Sequence, residues 1–564
     1  MTRTVTRTMT VAMTAVVLLL AAASYAQEQR TMEVNVPPPG GAGERAGAEP
    51  KKMTPEQMKR GRAWMQTAEA EARGLEGGMR AYALLEIAKT LGPADKAHAL
   101  ELLEDALAAS KSMEDHPNLG PMMQPRMRLQ QQILQAMVPL APERADELLT
   151  QLDPAGRESV LRALLGYYRK TKQNDRALEM IYRISAEREF PYGAGGEMMR
   201  ELPAAKHGEL QQMFTTALES YKNHKHEGMT MGPGDFAALI IEFQKQLSPD
   251  VVKDAIAEVL RQAQAPREDG QPRGPEPVSV ASAQGSVAMG SMYEYRLFQL
   301  LPTLRAVDPD EAERLLKKNR EVAGMLEKYP QGAEQLSGPS GPGGGGRGRR
   351  GGPGGMMMVG SGPRSGGMNR AEMEKMQRIV ADAEAHPQDA LANAATLSEP
   401  EMKVQALQGI ARATWKKTPG VAKSALKQML EALSALEPQQ QILPTRAAAG
   451  MYMAMGDAGE ARKVIEHGLE SAAKLYKQDT DADDPNKALE AYWPSAGAYA
   501  GLLRAAAEIE PNWALEQLKE VPDDEIRALG RIAMASALLG QPAGQVTIVS
   551  EKKDGVNMMM MDAN

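Results

Sequence analysis

Pro142-Glu143-Arg144-Ala145-Asp146-Glu147-Leu148-Leu149 follows an apolar stretch that runs from Leu129 to Met137. The arrangement returns as Leu297 to Leu304, then Pro309-Asp310-Glu311-Ala312, then Leu315-Leu316. It returns again as Leu502-Leu503 to Ile509, then Pro511-Asn512-Trp513-Ala514, then Leu518, and Pro387-Gln388-Asp389-Ala390 opens a further copy. A proline that ends one helix and starts the next, with a small alanine three residues on, lets two antiparallel helices approach closely. Around these copies apolar residues recur at three- and four-residue spacing, as in Leu84, Leu85, Ile87, Ala88 and Leu100, Leu103, Leu107. Ala, Leu, Met, Glu, Gln, Lys and Arg dominate, all strong helix formers. The expected fold is all-α, a stack of helix pairs in which each pair buries a face against its neighbours.

A second spacing sharpens this. Tyr168 is followed by Ala177 and Ile181, and Tyr452 by Ala461 and Ile465, each after a short polar turn. With Ala449 and Gly456, the second copy resembles the tetratricopeptide-like (TPR-like) helical repeats. Thr445 stands where that pattern has a large aromatic, and Ala473 where it has a closing proline. The resemblance covers two hairpins. It implies an irregular α-solenoid of TPR/HEAT-like antiparallel helix pairs whose concave face binds peptides or proteins.

Residues 1–26 read as a secretory signal peptide: Arg3 and Arg7, an apolar run from Val11 to Ala23, then Ser24-Tyr25-Ala26 before Gln27, with cleavage between Ala26 and Gln27. The chain is therefore expected to be exported, periplasmic or secreted, with no transmembrane segment in the mature form. Residues 27–53 form a Pro/Gly-rich tether, and Thr54-Pro55-Glu56-Gln57 is a capping box that opens the first helix. A helical-repeat block is expected over 54–264, a Pro-rich linker over 265–287 and a helical pair over 288–336. A disordered Gly/Arg/Met-rich linker follows over 337–369, then a TPR-like block over 370–540 and a flexible tail over 541–564. The two blocks form either one solenoid or two joined by the linker.

Composition excludes much. The 564 residues contain no cysteine, which removes disulfides, thiolate metal sites and cysteine nucleophiles. Aromatics are 4% of the chain, too few for an aromatic-lined sugar cleft or a base-stacking surface. A formal charge of −7 argues against nucleic acid and for basic partners. The 38 methionines read mainly as adaptable core filler.

No motif assembles a catalytic set. GxxxxGK[ST] and GxSxG are both missing, and Gly343 to Gly346 neither follows a strand nor opens a helix. His224 and His226 are the one histidine cluster and the candidate metal ligands, without the further ligands a site needs. Met356-Met357-Met358 and Met558 to Met561 could offer soft thioethers but sit in low-complexity sequence. Arg347, Arg349 and Arg350 lack interleaved aromatics. Asp479, Asp481 and Asp483 imitate the start of a calcium loop, with Asp484 where the turn glycine belongs and Glu490 at the closing position. No cofactor is expected. The functional expectation is an exported, non-enzymatic scaffold or adaptor that binds envelope or secreted proteins, with Arg446 and Tyr452 as groove candidates. The alternatives are a polysaccharide-processing helical-toroid enzyme, which needs His, Tyr and Arg converging in a deep cleft, and a metal-binding envelope protein.

Overall fold

The computed structural model describes residues 53–113, 124–224, 235–264, 278–282, 285–336, 370–481, 494–541, 546–552 and 555–561. Helices α1 (Pro55–Gly74), α2 (Gly77–Leu91), α3 (Lys96–Ser110), α4 (Pro125–Met137), α5 (Pro142–Leu148), α6 (Pro154–Lys170) and α7 (Asn174–Glu187) come first. Next are α8 (Tyr192–Glu201), α9 (His207–Asn223), α10 (Phe236–Phe243), α11 (Pro249–Gln264) and a hairpin of β1 (Val278–Ser282) with β2 (Gly285–Met289). Then come α12 (Met292–Val307), α13 (Pro309–Lys318), α14 (Arg320–Lys328) and α15 (Ala333–Leu336). The second block holds α16 (Arg370–Asp382), α17 (Pro387–Ala394), α18 (Pro400–Thr414), α19 (Pro419–Leu433) and α20 (Pro438–Ala454). It ends with α21 (Ala458–Asp481), α22 (Pro494–Ile509), α23 (Pro511–Lys519) and α24 (Asp524–Leu538). A last hairpin pairs β3 (Val546–Lys552) with β4 (Gly555–Met561). The chain is all-α in its core. Among the described residues no helix is long and apolar enough to cross a membrane.

The local signals act as the sequence indicates. Thr54 Oγ1 accepts from the Gln57 N–H at 3.2 Å while Gln57 Oε1 accepts from the Thr54 N–H at 2.9 Å, closing the capping box. Each Pro-x-x-Ala proline opens a helix: α5, α13, α17 and α23. Ala145, Ala312 and Ala514 are fully buried and Ala390 nearly so. The turns after α6 and α20 share one geometry. The Gln173 N–H donates to Tyr168 O (2.8 Å) and the Asp457 N–H to Tyr452 O (2.9 Å), over left-handed Lys172 (φ 58°) and Gly456 (φ 77°). Gly540 repeats it after α24, at φ 72°.

Packing joins the two blocks in an unexpected order. Block two stacks as the pairs α16/α17, α18/α19, α20/α21 and α22/α23, and block one as α2/α3, α4/α5 and α6/α7. Between them, α24 from the end of the chain pairs with α1 from its start. This composite pair takes the place of an ordinary repeat, so the two blocks are one continuous solenoid, joined through the chain ends. The seam is specific. Thr90 and Ser536 share a buried hydroxyl hydrogen bond of 2.8 Å, and Arg531 Nε donates to both carboxylate oxygens of Glu71 (3.0 and 2.9 Å). Arg60 donates to Asn512 Oδ1 at 3.0 Å. Gly61 lets α1 settle on α24: a methyl there would lie 3.0 Å from Leu539 Cγ and 3.2 Å from the Ala535 carbonyl oxygen.

The two layers of this stack differ. The first helices of successive pairs (α16, α18, α20, α22, α24, α2, α4, α6) touch one another at every step. The second helices stand further apart over most of this run and are bridged by long side chains. Arg60 reaches Asn512 from α1 to α23, Arg73 reaches Asp105 between α1 and α3 (2.8 Å), Arg144 reaches Glu104 between α3 and α5 (2.7 Å), and Arg183 reaches Asp146 between α5 and α7 (2.6 Å). A stack whose first helices crowd while its second helices splay curves toward the first. They form the inner layer.

Three expectations change. Residues 288–336 hold four helices rather than a pair: Asn319 ends α13, its side-chain amide donating to Leu315 O (2.8 Å), and α14 starts at the next residue. The linker expected over 265–287 includes β1 and part of β2, with Val278 and Met289 buried. The tail contains β3 and β4, led by the β-branched run Val546-Thr547-Ile548-Val549.

Candidate functional site

Inner helices meet through glycines. A methyl at Gly409 of α18 would lie 2.8 Å from Val380 Cγ2 of α16, and one at Gly530 of α24 would lie 2.5 Å from Leu503 Cδ1 of α22. At Gly156 of α6 the neighbours are Met127 of α4 and, at 3.3 Å, the Gln131 amide nitrogen. At Gly409 and Gly530 hydrophobic side chains alone fill the space that the missing Cβ leaves. At the contact between α20 and α22 the glycine is Gly501, and the side chain over it is Arg446. A methyl at Gly501 would lie 2.8 Å from Arg446 Nη1 and 3.0 Å from its Cζ. A guanidinium thus lies over a glycine here, where the contacts at Gly409 and Gly530 have Val380 and Leu503.

The charge at this position is poorly compensated. Arg446 is half-buried, and it makes no hydrogen bond or ion pair among the described residues. Burial first, and the positive Arg504 second, lower its pKa below the ordinary guanidinium value, while Glu508 opposes the shift. Arg504, on α22, is lowered by burial as well. Its Nε lies 3.5 Å from Glu508 Oε1, and Nη2 donates to the Gln541 carbonyl. Arg446 is the single charged residue of α20. Elsewhere the inner layer leans the same way: α4 carries Arg126 and Arg128 and no acid. Outer α3 carries Glu101, Glu104 and Asp105 against Lys96, and outer α5 carries Glu143, Asp146 and Glu147 against Arg144. The net negative charge of the chain is therefore held away from the inner face.

The repeat residues all lie in packing positions. Tyr168, Ala177, Ile181, Tyr452, Ala461 and Ile465 are buried, and Gly456 makes its turn. Tyr452 is a core residue, with burial raising its pKa, and is removed from the groove candidates. Thr445 also belongs to the core: its Oγ1 donates to Gln441 O at 2.7 Å, and its methyl fits the space left at Gly468 of α21. A large aromatic would not fit between these helices. With Ala473 in place of a proline, α21 runs on to Asp481.

His224 caps the end of α9, its Nδ1 2.8 Å from Ser220 O. No group of three or more acidic or histidine ligands that could hold a metal occurs among the described residues. Ala26, Gln27, His226, Arg347, Arg349, Arg350, Met356 to Met358, Asp483, Asp484 and Glu490 lie outside the described residues. Asp479 and Asp481 fall in the last turn of α21, and Met558 to Met561 in β4.

Tyr and Arg do converge once, in the core. Arg296 Nη1 donates to Asp235 Oδ2 at 2.5 Å with both side chains buried, and Asp235 Oδ1 also caps α10 by accepting from the Ala238 N–H (2.8 Å). Tyr221 stacks on Phe236 at 4.8 Å, beside Tyr192, Phe190 and Phe214. Burial pushes Tyr221 up to about 12 and Tyr192 further. A tyrosine base needs the opposite shift, so this cluster has the chemistry of a packed core. Arg504 and Gly501 were missed in the sequence reading. Their signal was a glycine and a lone arginine three residues apart inside an Ala-rich helix. No family model and no curated protein matches the chain.

Proposed function

We propose that this protein is an exported, non-enzymatic scaffold whose inner helical layer holds an acidic stretch of a protein or peptide partner. The observation that carries the reading is Arg446: a half-buried guanidinium without a hydrogen bond or ion pair among the described residues, laid over Gly501 where the contacts at Gly409 and Gly530 have Val380 and Leu503. Positions that break a local packing rule without a compensating contact are where function is expected. The uneven charge supports the choice of partner. The −7 total would favour basic partners, but its acids sit on outer helices such as α3 and α5, while α4 and α20 present arginine. Complementary charge of this kind sets partner choice and capture rate more than raw affinity.

The test is crosslinked affinity capture of the mature chain from its native envelope fraction, against a tag-only control and with free polyglutamate as competitor. One or a few stoichiometric proteins displaced by polyglutamate would support the reading. A partner-free monomer, or partners displaced by polylysine instead, would overturn it.

A further inference from the structure

We infer that Arg446 and Arg504 form a carboxylate-binding subsite that receives an aspartate or glutamate side chain of an acidic peptide segment. The inference rests on the inner-layer reading above and names the pair of groups that make the contact.

The geometry assigns the two arginines different parts. Arg504 is anchored, with Glu508 at 3.5 Å on one side and the Gln541 carbonyl on the other. Arg446 is positioned by packing alone, laid over Gly501. An incoming carboxylate can accept two parallel N–H bonds from the guanidinium fork of Arg446 and gain from the field of Arg504 behind it. Glu508 is half exposed and pairs with Arg504; it acts on Arg446 only through its field, which does not offset burial and Arg504. The comparison with the sister contacts carries the argument. Val380 over Gly409 and Leu503 over Gly530 fill corresponding mid-helix spaces at no electrostatic cost. Keeping a guanidinium there, next to a second one, makes the empty protein less stable than an apolar residue would. A ligand that supplies the missing negative charge removes that cost. An amide or hydroxyl would not, which favours carboxylate over neutral sugar or unmodified polar peptide.

The experiment uses full-length mature protein with fluorescein-labelled hexaglutamate, hexaglutamine as the neutral control and inorganic phosphate as the generic anion. Variants are Arg446→Met, which restores the residue type of the sister contacts, and Arg446→Lys, which keeps charge and loses the fork. Wild type is expected to bind hexaglutamate and not hexaglutamine. Arg446→Met should weaken binding at least tenfold while raising the melting temperature, and Arg446→Lys should fall between. A melting temperature lowered by Arg446→Met would make Arg446 a structural residue and overturn the inference. Hexaglutamate binding unchanged in Arg446→Met would also overturn it, and partner capture that persisted in that variant would leave the scaffold reading standing. Phosphate displacing hexaglutamate at equal charge concentration would overturn the carboxylate assignment. Arg446-dependent hexaglutamate binding with no captured partner would keep the subsite and remove the scaffold.

Discussion

Gly61→Leu tests whether the chain ends really complete the stack. Gly61 sits in the middle of α1, with Leu538 Cβ 3.1 Å, Leu539 Cγ 3.0 Å and the Ala535 carbonyl oxygen 3.2 Å from the position of an added methyl. The leucine side chains can turn aside; the carbonyl belongs to the backbone of α24 and cannot. Overpacking of this kind costs about 1–3 kcal/mol. Leucine recovers about 0.8 kcal/mol of helix propensity over glycine. The net is a loss of up to about 2 kcal/mol, concentrated at the seam, or up to about a 30-fold rise in its opening constant. Gly74→Ala, at the end of the same helix, meets nothing within 4 Å. It should be neutral or stabilise by about 0.5 kcal/mol. Hydrogen exchange read by mass spectrometry separates the two. In Gly61→Leu, amides of 524–538 should lose protection together with those of 55–74, although residues 75–523 lie between them in the chain. Unchanged protection in 524–538, with α1 alone loosened, would refute the composite pair and return the chain to two separate blocks.

Three further outcomes follow from named contacts. Thr90 Oγ1 donates to Glu86 O (2.9 Å) and so accepts from Ser536; Thr90→Val should cost about 1–3 kcal/mol by stranding that hydroxyl, and adding Ser536→Ala should recover part of it in a urea melt. Lys172 holds a left-handed φ of 58° where the equivalent turns use Gly456 and Gly540; Lys172→Gly should therefore raise stability by about 0.5–1 kcal/mol, and a lower melting temperature would contradict the shared turn geometry. His98 Nε2 meets Glu69 at 2.8 Å across α1 and α3, and that hydrogen bond is the main cause of its raised pKa, with burial working against it. A raised folded pKa gives stability that is complete below the unfolded value of about 6.5 and is lost as pH climbs through the folded value. Melting temperature should thus decline more from pH 6 to pH 8 in wild type than in His98→Gln; equal slopes would remove this bridge from the outer layer.

What could be read from the sequence was local. Pro309 and Ala312, or Pro511 and Ala514, specify a helix start and a close approach within four residues, so the paired architecture was visible before any coordinates. Tyr452 and Ala461 were visible as repeat positions for the same reason. The seam was not, because the apolar faces of α1 and α24 look like any other helix faces and their partners lie at opposite ends of the chain. Glu71 and Arg531 carry no mark of each other. The hairpin β3–β4 had a signal in Val546 to Val549, outweighed by the polar, methionine-rich residues that follow. Arg446 was reachable from the sequence only as a groove candidate on the best TPR-like repeat. Its meaning depends on Gly501, fifty-five positions away in sequence and directly beneath it in the fold.

The route of the chain bears on the shape of the stack. With α24 and α1 joined in the middle, α15 and α16 become its two ends, and the 33 residues 337–369 have to connect them. A stack of about a dozen helix pairs at about 8–10 Å per step is about 100 Å along its path, and 33 residues cannot reach further than about 110–120 Å, so the covalent connection sets an upper limit on the distance between those ends. The layers set the direction of curvature: inner helices touch at every step, and outer helices are bridged by arginine–carboxylate pairs long enough to span the splay. A bend in that direction would put Arg446 and Arg504 in the inner layer, where the proposed acidic segment would bind, which is what the hexaglutamate measurement reads.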